Sequence, residues 1–102
     1  MSQESNQLSG KHKRHLRGLG NRLESKIVIG HNGMSENCLK NLEAALKSDE
    51  LVKVRVQRTS GIERKEAAEK LAGATGASCV QVFGSTVLLY RENSEDIKIK
   101  LP

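Results

Sequence analysis

Ile27-Val28-Ile29-Gly30-His31-Asn32-Gly33-Met34-Ser35-Glu36 is the stretch on which the fold turns. Its three β-branched residues, entered through Ser25-Lys26, read as a short strand that Gly30 brings to an end. Beyond the G-x-x-G spacing, Met34 to Lys47 reads as a helix. Ser35 is placed as its N-cap, Glu36 stands in its first turn, and Cys38, Leu39, Leu42, Ala45 and Leu46 follow at helical spacing. A strand that passes through two glycines into a helix and on to another strand requires a crossover connection. Crossovers favour a mixed parallel and antiparallel sheet with helices packed against it.

The neighbouring segments extend the pattern. Leu51 to Gln57 alternates, with Val52, Val54 and Val56 on one side and Lys53, Arg55 and Gln57 on the other, as in a half-buried strand. Ser60-Gly61-Ile62-Glu63 has the spacing of a capping box, and Ala67, Ala68, Leu71, Ala72 and Ala74 form a small-residue helix face that stops at Gly76. Ala77 to Phe83 and Thr86 to Arg91 read as strands joined by Gly84-Ser85, the pairing of a type II′ hairpin turn. In 92–102, Ile97, Ile99 and Leu101 alternate, which fits a short edge strand or a docked tail equally.

Upstream, Leu8-Ser9-Gly10 opens a first helix with Ser9 as N-cap, and Leu16, Leu19 and Leu23 continue its apolar stripe. Gly18 and Gly20 weaken that helix by about 1 kcal/mol each relative to Ala. Packing must therefore hold it. The expected class is α/β, in the order α-β-α-β-α-β-β. With 102 residues there is material for one core, so residues 8–102 are expected to form a single domain and the polar residues 1–7 a disordered N-terminal segment.

Seventeen Lys and Arg against twelve Asp and Glu give a net charge of +5, which suits a polyanionic partner or simple solubility. The distribution is more telling. Residues 1–26 hold six cations, Lys11, Lys13, Arg14, Arg17, Arg22 and Lys26, against Glu4 and Glu24 alone. In the run from Lys11 to Arg17, Lys13 and Arg17 stand at i, i+4 and Lys11 and Arg14 at i, i+3, with no acid between them. Such a run is either a solvated helix face or a surface that meets a polyanion. No segment nears 18 apolar residues, and no cationic start leads into an apolar run, so a cytoplasmic protein that does not span a membrane is expected.

Little in the chain points to catalysis. Cys38 and Cys79 lack zinc or redox spacing, and His12, His15 and His31 lack a third ligand or an orienting carboxylate, so no metal, cofactor or small-molecule substrate is expected. A hydrolase or nuclease built on the histidines is the weakest reading. The Gly30-His31-Asn32-Gly33 turn is chemically richer. Two glycines permit positive φ and close approach of another backbone, and a helix start adds free N–H groups and a positive dipole end, the requirements for clamping phosphates. By itself G-x-x-G also describes an ordinary tight bend. With only Phe83 and Tyr90 aromatic, recognition by stacked bases is disfavoured and recognition through backbone and shape preferred.

Taken together, Leu8-Ser9-Gly10-Lys11-x-x-x-x-Leu16-Arg17, Val28-Ile29-Gly30-His31-Asn32-Gly33-Met34-Ser35-Glu36-Asn37, Glu50-Leu51-Val52-Lys53-Val54, Ala74-Thr75-Gly76 and Val80-Gln81-Val82-Phe83-Gly84-x-x-x-Leu88-Leu89-Tyr90-Arg91 resemble the CRM (chloroplast RNA splicing and ribosome maturation) domain. More narrowly they are similar to its stand-alone bacterial YhbY-type members, over about residues 8–101. The resemblance implies a fold similar to the C-terminal domain of translation initiation factor three and a G-x-x-G loop used on RNA. For single-domain members it also implies association with precursors of the large ribosomal subunit. By position it assigns RNA binding to Gly30, His31, Asn32 and Gly33 in the loop and to Lys11, Arg14 and Arg17 in the first helix, to which the charge pattern adds Lys13 and Arg22. The family loop often carries Lys or Arg where this chain has His31, whose unperturbed imidazole is mostly uncharged at neutral pH. The expected protein is thus a monomeric ribosome-assembly factor that binds ribosomal RNA. The alternative is a protein-interaction module on the ribosome with incidental RNA contact.

Overall fold

The computed structural model describes residues 8–31 and 33–101. Its central strand is β2 (Leu51–Val56), where the alternation is cleanest. β1 (Ile27–Ile29) runs parallel to it, with Ile27 opposite Val54 and Ile29 opposite Val56, and α2 (Glu36–Asp49) makes the crossover between them. On its other side β2 pairs antiparallel with β4 (Thr86–Tyr90), which pairs antiparallel with β3 (Ser78–Phe83), so the order across the sheet is β1-β2-β4-β3. α1 (Gly10–Gly20) precedes the sheet and α3 (Arg64–Thr75) joins β2 to β3. The α/β class, the element order and the mixed sheet are as the sequence predicts. Residues 1–7 and Pro102 lie outside the described residues. No helix among the described residues is long and apolar enough to cross a membrane.

Local chemistry sets most of the element ends. Ser9 Oγ accepts from His12 N at 3.1 Å and Ser35 Oγ from Cys38 N at 3.2 Å, each satisfying an N–H that the helix itself cannot. Between β3 and β4, Gly84 takes φ +59° while Ser85 is not among the positive-φ residues, as a type II′ turn requires. The expected capping box does not form. Arg58–Ser60 instead make a turn of 3₁₀-helix, Ser60 Oγ accepts from Ile62 N two residues on, and Glu63 stands at the N-cap of α3 without a side-chain hydrogen bond. The hydroxyl is used in its own turn, a local bond that competes with capping.

Two cores sandwich the sheet. Ile27, Ile29, Val52, Val54, Val87 and Leu89 point to α2 and α3, where they meet Leu42, Leu46, Ala67 and Leu71. The opposite face carries Leu51, Val80, Leu88 and Tyr90 beneath Leu16 of α1, with Leu8, Ile99 and Leu101 packed alongside. Gly20 explains how a glycine-weakened α1 stays in place. A Cβ there would stand 2.5 Å from Leu88 Cδ2, so the helix end lies close enough to the sheet that any side chain at this position would have to displace Leu88.

The last segment is a docked tail, not a strand, and one side chain organises it. Glu50, fully buried and at φ +66°, ends α2 and turns the chain directly into β2. Its Oε2 accepts from Asn93 N at 2.7 Å, and its Oε1 from Lys98 N at 2.8 Å and Ile99 N at 2.7 Å. A buried carboxylate needs such donors, and here the tail's backbone supplies them.

Candidate nucleic-acid interface

The G-x-x-G turn closes at the end of the edge strand. Gly33 N donates to Gly30 O at 2.8 Å, Gly33 takes φ +67°, and His31 is exposed between them; Asn32 lies outside the described residues. The two glycines serve different needs. At Gly30 a Cβ would stand 2.9 Å from Gln57 Oε1, where Gln57 N also donates to Ile29 O at 2.9 Å. At Gly33 the nearest atoms, Ile62 Cδ1 and Ser60 O, are 3.8 Å and 3.9 Å away, so only its φ demands glycine. Both vacant Cβ positions therefore face the protein's own 57–62 connection, not an incoming backbone. The N-terminus of α2 is likewise partly spoken for, since Ser35 caps it and Glu36 brings a negative charge to its positive end. Among the described residues, what the turn offers outward is the backbone of Gly30, His31 and Gly33 and the exposed His31 side chain.

The α1 cations lie elsewhere. α2 and α3 cover one sheet face and α1 the other, so the basic helix and the turn belong to different layers. α1 holds Lys11, Lys13, Arg14 and Arg17 and no acid, whereas α2 and α3 together hold five cations and five acids. Among the described residues, ion pairs form at Lys26–Asp49, Lys70–Glu66, Arg91–Glu43 and Lys98–Asp96. None uses a cation of α1. Lys13 acts electrostatically on Cys79 of β3, and Asn21, eight residues on, borders a hollow with Gln81 and Phe83 of the same strand. The row Lys13, Arg17, Asn21 thus runs along the β3 side of the helix. Arg22 is not part of it. It lines a separate cleft of about 470 Å³ with Leu19, Leu23, Lys26, Asp49 and Ile99.

Two cations that the charge pattern passes over belong beside the turn. Arg55 pairs across the sheet with Val28 on one side and Thr86 on the other, and Arg58 follows in the 3₁₀ turn that leads to Ser60 beside Gly33. The alternation in β2 marks Lys53 and Arg55 as polar, but only the parallel β1–β2 register sets Arg55 opposite Val28, two residues before Gly30. Arg64 has a different task. Its guanidinium donates to Gly84 O and holds the β3–β4 hairpin against the first turn of α3.

No group of three or more His, Cys, Asp or Glu among the described residues is placed to hold a metal ion. Cys38 and Cys79 are both unbridged, and burial raises the pKa of each thiol, opposite to what a nucleophile needs.

The chain is thus an α/β domain with a strand–G-x-x-G–helix unit at the edge of a mixed sheet and, on one face, a basic helix whose Lys and Arg side chains make no ion pair among the described residues. The chain belongs to the CRS1/YhbY (CRM) domain family, whose profile matches residues 8–91. It is 35% identical over 95 residues to "Probable RNA-binding protein YqeI" of Bacillus subtilis, covering 93% of this chain and 99% of that one. It is 37% identical to an RNA-binding protein of Haemophilus influenzae, covering 93% and 95%. A solution structure of a Staphylococcus aureus protein, described as a candidate for RNA binding, superposes with a TM-score of 0.78 at 40% identity over 94% of this chain and all of that one.

Proposed function

We propose that this protein binds ribosomal RNA on precursors of the large ribosomal subunit and acts in ribosome biogenesis. The G-x-x-G turn and the first helix are its two contacts. The observation that carries the reading is the one-sided charge: α1 holds Lys11, Lys13, Arg14 and Arg17 with no acid, and none of the four has an ion partner among the described residues, above a sheet whose far side is balanced. Phosphate binding by such a face is driven by release of counterions and needs no base contacts. Gly30, His31, Asn32 and Gly33 contribute the second contact at the sheet's end. Lys11, Lys13, Arg14 and Arg17 supply the charge, with Arg22 reaching RNA only where it passes the adjoining cleft. Names of relatives that specify RNA binding support the partner class. The reading places the protein in the cytoplasm as a monomer without cofactor, performing no reaction.

Sedimentation of a cell extract after RNA crosslinking tests this. The protein is expected to travel with particles that contain incomplete large-subunit RNA and to leave them on nuclease treatment. A free pool without RNA would overturn the reading, and association that survives nuclease would favour a protein-interaction module.

A further inference from the structure

One row of side chains crosses all four strands on the face that α1 shares: Val28 of β1, Arg55 of β2, Thr86 of β4 and Phe83 of β3 are successive register partners. α1 ends at Gly20 and does not cover this row. Phe83 is 72% exposed and Val28 48% exposed, the two most open strand residues among the large apolar side chains. The ring is displayed on a braced hairpin, since Thr86 Oγ1 donates to Phe83 O at 2.8 Å and Arg64 donates to Gly84 O. Beside the ring lies a hollow of about 30 Å³ bordered by Asn21, Lys53, Gln81 and Thr86. That is the room of one water, enough for the edge of a flat group lying over it and too small to enclose one.

We propose that this row is a stacking platform for one unpaired RNA nucleotide, with Phe83 under the base, Lys53 and Arg55 at its flanking phosphates, and the amides of Asn21 and Gln81 at its edge. Charge selects the occupant. Lys53 and Arg55 make no side-chain hydrogen bond or ion pair among the described residues, and no acid stands on the row or around the hollow. An exposed ring on the edge strand, with two cations unpaired among the described residues two strands away on β2, can take a base by its π-face and the adjoining backbone by charge, whatever the base. The other aromatic, Tyr90, is 4% exposed, so a single base is read in this way. The inference rests on RNA being the partner and adds a contact with a base to a grip otherwise made on phosphates.

The test compares a stem–loop RNA that has an unpaired loop with the same stem–loop carrying abasic residues in that loop, at equal salt. The intact protein is expected to bind the first about tenfold more tightly, the effect of one stacked base. Phe83→Ala, a change at an exposed position, should bring the two affinities together while leaving the salt dependence unchanged. Phe83→Trp should keep the preference, with its indole fluorescence quenched by the first RNA and not by the abasic one. A preference that survives Phe83→Ala, or an unquenched Phe83→Trp, overturns the platform and assigns the exposed ring to a protein contact, with RNA binding intact. If neither RNA binds the intact protein, RNA recognition itself fails and the platform with it.

Discussion

Tyr90 and Phe83 show how differently two aromatic residues on one sheet face are used. Tyr90 packs among Leu16, Leu51 and Leu88, and its hydroxyl is buried with no hydrogen-bond partner among the described residues. Burial, and then the charges of Glu50 and Glu92, push its pKa up to about 12. The unfolded chain releases the same proton near pH 10, so between about pH 10 and 12 the folded state alone retains it and stability falls as pH rises, by about 1.4 kcal/mol per unit. It is the only tyrosine, so tyrosinate absorbance should report that late titration directly, and denaturant midpoints should drop across the window. Tyr90→Phe should remove this alkaline loss and cost nothing at neutral pH, since the hydroxyl leaves no partner unsatisfied. A midpoint that falls equally steeply in Tyr90→Phe would show another group to be responsible. Strand parity places both rings on one side. It does not reveal that α1 covers one and stops short of the other.

At the scale of elements, the strands and helices follow from spacing and caps, and the exceptions have local causes. Ser60 spends its hydroxyl on Ile62 N, so α3 starts at Arg64 without the expected box. The tail is settled by Glu50, whose carboxylate gathers Asn93, Lys98 and Ile99 while Asn93 Nδ2 donates to Lys47 O at 3.0 Å. Ile97 shows why alternation misleads here. It is 53% exposed, while Ile99 and Leu101 pack into the α1-side core, so the segment keeps a strand's rhythm without a strand's partner. Glu50→Ala strips three backbone donors of their acceptor, while the positive φ is borne by a residue with a Cβ before and after the change. A loss of about 3 kcal/mol is expected. Amide exchange should locate it first in residues 93–99, with the β2–β4 ladder opening later. Equal protection of the tail in Glu50→Ala would remove the carboxylate from its assigned role.

Over the whole molecule, the sheet acts as a partition between a basic layer and a neutral one. Binding driven by phosphate contacts should therefore lose about one unit of salt-dependence slope when Arg14 or Arg17 is changed to Ala, and none for Lys40→Ala on α2. An unchanged slope for both arginines would take the first helix out of the interface. The class, the element order, the turn between β1 and α2 and the cation run of α1 are set by the sequence alone, because each depends on residues within a few positions of one another: β-branched runs, caps, glycines and helical spacing. Tertiary structure decided what those elements face. It turned the Cβ sides of Gly30 and Gly33 inward, set Arg55 opposite Val28 two residues short of the turn, withdrew Arg22 to another cleft, buried Tyr90 and left Phe83 bare. All of these depend on the β1-β2-β4-β3 order and on where α1 ends over it, relations between segments tens of residues apart that local periodicity does not encode.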